Sequence, residues 1–184
     1  GDTSEVGVSG FQTAWRVLQH WADGSVRVAQ AQFCDVLAAN ETKSYTVARD
    51  VTPLIGAFEP NEWVSQLDAN LQFGAEVTDG LGAAYRAFAD GAGEVLQATP
   101  LVQVERWHLF HQPVVAGGGI GRDFLTSTFY VTSYRDMPFV VVDWIVGNDY
   151  LGVDSIPDGD SDPNLRPLGC MDVADARFLV RGVA

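Results

Sequence analysis

The chain has 184 residues, 47% of them hydrophobic, which suffices for one well-buried core or for two small β subdomains. Eleven basic residues against 24 acidic ones give a formal net charge of −13. A surface of that sign repels phosphate backbones and anionic headgroups, which argues against nucleic-acid partners, and no apolar run approaches the ~18 residues needed for membrane insertion. The chain opens on Gly1 with no signal-peptide pattern, which predicts processing or excision from a longer chain.

Turn residues punctuate the sequence at short intervals, and no helical period is sustained. Residues 11–21 and 25–33 read as a hairpin across Asp23-Gly24, the dipeptide that best tolerates the positive φ angles of a tight turn. Residues 44–49 alternate as a short strand. Residues 53–60 begin and end on proline and read as a connector or edge strand. Residues 63–77 alternate loosely and lead to a turn at Thr78-Asp79-Gly80. Residues 83–89 fit a strand or a short helical turn. Residues 101–111 read as a strand with Val102, Val104, Arg106 and His108 on one face. Its other face carries Leu101, Gln103, Glu105, Trp107 and Leu109. A glycine-rich loop at 116–121 precedes residues 124–134, which are β by their Thr, Tyr, Phe and Val content. Residues 138–146 are almost continuously apolar and predict a central strand buried on both faces, with Trp144 in the core. A last short strand covers 177–181. About ten strands at this spacing predict an all-β barrel or sandwich, mostly antiparallel. The span 1–184 is expected to be a single β domain or two packed β subdomains.

The hairpin also carries a family likeness. An apolar strand, Trp21-x-Asp23-Gly24-Ser25, an alternating strand and then Ser44-Tyr45-Thr46-Val47 together resemble the N-terminal β-barrel domain of exo-rhamnogalacturonan lyase-like proteins, over residues 11–49. Val102-x-Val104-Glu105 and Pro138-Phe139-Val140-x-Val142, ending near Gly147-Asn148, are similar in character to later strands of that domain. In those lyases the β domain precedes a large helical toroid that holds the catalytic residues. This sequence has no such toroid, so the resemblance carries over no catalytic residue. It implies an accessory β domain of a larger polysaccharide-acting protein, or a stand-alone relative used for assembly or attachment, as β domains are in phage particles and cell-surface layers.

Asp158-Gly159-Asp160-Ser161-Asp162-Pro163-Asn164 is the metal candidate. Asp158, Asp160, Asp162 and Asn164 present oxygens at alternate positions, which can converge on calcium if the backbone curls around it. Asp149, Asp154 and Asp172 add charge nearby. The pattern departs from an EF-hand at Pro163, where the turn glycine belongs, and at Gly169, where the bidentate glutamate belongs. The competing reading is a solvated acidic loop of turn formers. Trp15 and Trp21 are the carbohydrate-binding candidates, because their even spacing puts both on one face of an ideal strand; packing into the core competes with that role. His108 and His111 point to opposite faces of a strand and cannot share an ion, and nothing in the sequence brings His20 to them. Tyr130, Tyr134, Arg135 and His108 are residue types that a lyase uses, without a spacing that ties them together. Carboxylates suited to a glycosidase pair are plentiful, whereas no nucleophile motif occurs. Cys34 and Cys170 read either as one disulfide closing a large loop or as two separate small hydrophobes.

The chain is therefore expected to be a non-catalytic extracellular or particle-associated β module for carbohydrate recognition or assembly. Its expected partners are a polysaccharide or neighbouring protein subunits, with a homo-oligomer among the expected arrangements. The alternatives are a structural subunit of a virion or surface layer with calcium-stabilised contacts, and an intrinsic polysaccharide lyase. A cation loop predicts a higher melting temperature in millimolar calcium that Asp160→Ala abolishes; a solvated loop predicts no shift, and a thermal melt of both chains decides.

Overall fold

The computed structural model describes residues 3–115, 125–148 and 172–182. In chain order the elements are β1 (Val6–Val8), β2 (Ala14–His20), β3 (Val26–Gln32), β4 (Val47–Arg49), α1 (Glu62–Asn70), β5 (Leu71–Asp79) and β6 (Ala84–Phe88). They continue with β7 (Glu94–Ala98), β8 (Val102–Phe110), β9 (Gln112–Pro113), β10 (Leu125–Tyr134), β11 (Val140–Asn148) and β12 (Val173–Gly182). The fold is all-β, with strands ordered β1-β4, β2-β3, β11-β10-β8-β7 and β12-β5-β6-β9. Each of these sheets has two open ends among the described residues. The class is therefore sandwich-like, and the expected alternative of a closed barrel is not what forms.

The β2–β3 hairpin turns at Asp23-Gly24 by a different route from the one expected. The Trp21 N–H donates to the Ser25 carbonyl at 2.8 Å, and the Gly24 N–H donates to the Trp21 carbonyl at 3.0 Å. Gly24 has φ of 83°, and Asp23 is not left-handed. This is a three-residue loop in which a single left-handed glycine closes an ordinary turn, rather than a two-residue loop needing two positive φ angles. Asp23 Oδ1 accepts the Ser25 N–H at 2.9 Å, and that bond holds its carboxyl below the usual range.

Three other expectations change. Residues 63–77 are not one strand: α1 occupies their first half and β5 the second. Asn61 Oδ1 accepts the Trp63 N–H at 3.0 Å, an N-cap, and Glu62 sits in the first turn where the helix dipole favours it. β11 is not a central strand. Among the described residues it ends its sheet, and residues 140–147 are all half-buried or exposed, with Ile145 54% exposed. β10, between β11 and β8, is the strand with the most buried residues. Residues 44–49 contribute a strand only at β4, paired antiparallel with the unforeseen β1. The segment left open at 83–89 is a strand, β6.

By its contacts the chain divides into two compact units: Gly1–Val64, Val95–Val104 and Thr132–Val140 form the first, and Ser65–Glu94, Glu105–Val131 and Val141–Ala184 form the second. In the first unit, Val8, Thr13, Ala14, Val64 and Leu101 are buried. Thr13 Oγ1 accepts the Val8 N–H at 2.8 Å, so a buried hydroxyl supplies the partner that the backbone otherwise lacks. Phe11, Phe33 and Tyr45 pack as a trio with centroids 4.8–5.7 Å apart.

In the second unit, β5 is central to its sheet, pairing β12 on one side and β6 on the other. The β5–β6 turn hangs on Asp79, which is 2% exposed. Its Oδ1 accepts the N–H groups of Leu81 and Ala83 at 3.0 and 2.9 Å, and its Oδ2 accepts the Tyr85 hydroxyl at 3.3 Å. His111, buried in the same unit, is held by both ring nitrogens: Nδ1 meets the Tyr85 carbonyl at 3.2 Å and Nε2 meets Ser127 Oγ at 2.7 Å. Ser127 Oγ also accepts Trp144 Nε1–H at 2.9 Å. A carbonyl can only accept, so Nδ1 carries the proton and Nε2 accepts from the serine hydroxyl. Burial pushes the His111 imidazole below its ordinary pKa, while the bond to Tyr85 pulls weakly the other way. An unfolded chain takes up that proton near pH 6.5 and the folded chain resists it. Stability should therefore be flat above about pH 6.5 and fall as pH drops below it. Denaturant unfolding at stepped pH checks this, and His111→Gln should flatten the His-linked part of the slope at a cost of about 1–3 kcal/mol.

Candidate functional site

The second unit carries an open groove of about 840 Å³. The start of β5, the end of β6 with the turn after it, the middle of β8 and the end of β12 form its walls. Register fixes its polar wall: Arg181 on β12 lies directly across from Gln72 on β5. Arg181 Nε and Nη2 donate to Gln72 Oε1 at 2.8 and 2.6 Å, and Gln72 Nε2 donates in turn to the Ala89 carbonyl. The guanidinium carbon sits 3.7 Å from the centroid of the Phe88 ring, so the plane is stacked on one side and tied along one edge. Both restraints fix its orientation and still leave N–H groups for a ligand.

The apolar wall is Trp107. Its Nε1–H donates to the Gly91 carbonyl at 3.2 Å, and its ring meets Phe73 edge-to-face at 5.2 Å. Glu105, two residues earlier on the same strand, and Asp90 bring carboxylates to the groove. An aromatic surface, a guanidinium held in a set plane and two carboxylate acceptors form a lining suited to a polyhydroxylated ring. The ring's C–H face can lie on an aromatic surface, while its hydroxyls accept from the guanidinium and donate to the carboxylates. Among the described residues no three His, Cys, Asp or Glu side chains are grouped to hold a metal.

The first unit has a smaller pocket of about 320 Å³, lined by Phe33, Leu101, Tyr134 and Met137 with Asp35 and Asp136. Both carboxylates already have partners. Asp35 binds Lys43 Nζ at 3.1 Å and accepts the Tyr45 hydroxyl at 3.0 Å, and Asp136 binds Arg135 at 2.9 Å. Their cations hold both carboxyls below the usual range. The pocket therefore offers apolar surface but little unused charge.

The candidates read from sequence fall in several places. Asp158, Asp160, Asp162 and Asn164 lie outside the described residues, as do the glycine loop at 116–121 and Cys170. Cys34 is exposed. Trp15 is half-buried, and its Nε1–H donates to the Val6 carbonyl at 2.6 Å. Trp21 is 54% exposed at the hairpin tip, with the Arg27 guanidinium 4.5 Å from its ring centroid. Two register shifts lie between them, so even spacing no longer fixes a common face, and six residues of strand separate them by about 20 Å. His108 is exposed against Thr128 Oγ1 at 2.8 Å, whereas His111 is buried, so they do point apart. Tyr130 and His108 belong to the second unit, Tyr134 and Arg135 to the first. Of the groove residues, the strand reading of 101–111 placed Glu105 and Trp107 on one face; Arg181, Gln72 and Phe88 come from separate strands and carried no such signal.

Gly93 sets the position of Trp107: a Cβ built there would meet three indole carbons at 2.8–2.9 Å. Gly93→Ala should displace the ring, change the near-UV circular dichroism and lower stability by about 1–3 kcal/mol in denaturant melts. Comparison with family models, with curated proteins and with solved structures finds no match for this chain.

Proposed function

We propose that this chain is a non-catalytic carbohydrate-recognition β module whose ligand lies in the groove of the second unit. One observation carries the reading: Trp107, the stacked and tied guanidinium of Arg181, and the Glu105 and Asp90 carboxylates line a single open groove. Its volume falls in the range of small-ligand sites, ~300–1,000 Å³. Its guanidinium is held by the scaffold before any ligand arrives, which lowers the ordering cost of binding. The ligand is a neutral saccharide, because a chain of net charge −13 repels polyuronates unless a cation bridges them. The reading is non-catalytic because the resemblance of residues 11–49 to the β domain of exo-rhamnogalacturonan lyase-like proteins implies an accessory module and carries over no catalytic residue.

Titration calorimetry with neutral oligosaccharides tests this. Arg181→Ala and Glu105→Gln should each weaken binding by about tenfold or more, since each removes a charge-assisted hydrogen bond. Unchanged far-UV circular dichroism would exclude a folding defect. Equal affinity in both variants, or no saccharide binding in the parent chain, refutes the reading.

A further inference from the structure

We propose that the β2–β3 hairpin is an arm that docks onto the acidic surface of a second copy of this chain. From Arg16 to Phe33 no residue is buried, although the segment covers all of β3 and all but the first two residues of β2. A strand that packs on a core hides one face, whereas Val17–His20 and Arg27–Val28, near the turn, are exposed at consecutive positions and so on both faces. Val17, Leu18, Trp21 and Val28 are among its exposed side chains, the last three at 53%, 54% and 43%. β2 and β3 pair only with each other among the described residues, which leaves both outer edges without a ladder. A two-stranded ribbon is marginal in water by itself and gains from a third strand or an apolar cover.

The tip is nonetheless built to hold its shape. Arg27 stacks on Trp21, His20 Nδ1 donates to the Gly24 carbonyl at 2.9 Å, and Asp23 accepts the Ser25 N–H. A pre-shaped arm loses little conformational freedom on docking.

Charge selects the occupant. The hairpin holds two arginines, Arg16 and Arg27, against one carboxylate, Asp23, within a chain of 11 basic and 24 acidic residues. The arm is thus slightly cationic and apolar, whereas the rest of the chain carries the whole negative excess. Another copy offers the complementary surface, and basic arm on acidic body is an attractive pairing between otherwise like-charged molecules. Because arm and body are different surfaces, the contact is heterologous and builds a ring or a filament unless two copies exchange arms.

Sedimentation velocity and light scattering on the full chain over a concentration series test this. The mass should rise above the monomer value of 19.9 kDa as concentration increases. Leu18→Glu combined with Val28→Glu should return it to the monomer value throughout, and so should Arg16→Glu combined with Arg27→Glu. All four positions are at least partly solvent-exposed, so an unchanged melting temperature separates lost docking from lost folding. A parent chain that stays monomeric at every concentration overturns the proposal, as does an oligomer that persists in both variants. Saccharide binding by the groove should be the same in parent and variants, so the arm and the groove succeed or fail separately.

Discussion

The Phe73 ring is the contact on which the second unit depends. It sits on β5 and meets Trp107 at 5.2 Å, Phe129 at 5.1 Å and Phe178 at 6.3 Å, drawn from β8, β10 and β12. Phe129 then stacks on Trp144 at 6.1 Å, and Phe178 reaches both of them. Each such pair adds about 0.5–1.5 kcal/mol beyond the area it buries. The same ring also lines the groove, so the wall that would meet a ligand is one side of the core. A site built this way inherits the rigidity of close packing and does not have to be ordered when a ligand binds.

Buried polar groups do the remaining work of fixing geometry. Asp79 takes three donors and so sets where β5 turns into β6. The chain of Trp144, Ser127, His111 and the Tyr85 carbonyl runs through β11, β10, the β8–β9 junction and β6, with every donor matched to an acceptor. A fully matched network specifies one arrangement of strands, because any slip leaves a buried group unpaired. Thr126 Oγ1 departs from this pattern, being buried without a partner among the described residues.

Charge is unevenly distributed, and that asymmetry separates the hairpin from the rest. An acidic surface keeps copies apart through long-range repulsion, so any self-association must go through a local surface of opposite character. The hairpin is such a surface, both in its exposed apolar side chains and in its two arginines.

Local periods and turns are legible in the order of the residues alone. Alternation and turn residues marked β2, β3, β8 and β10, and Asp23-Gly24 marked the hairpin, because side-chain direction and backbone φ depend on a few adjacent residues. Even where the element was right, the detail depended on context: only Gly24 of the pair became left-handed. The apolar run at 138–146 looked central because apolarity alone cannot tell a strand with two neighbours from one at the end of a sheet. The helix at Glu62–Asn70 escaped because residues 63–77 alternate loosely and so read as a strand, and its cap, Asn61, emerges only from the structure. The groove was decided by tertiary structure. Arg181 and Gln72 are 109 positions apart and became partners only through the β12–β5 register. No local pattern encodes that meeting, because strand pairing joins residues by sheet geometry and not by their distance along the chain.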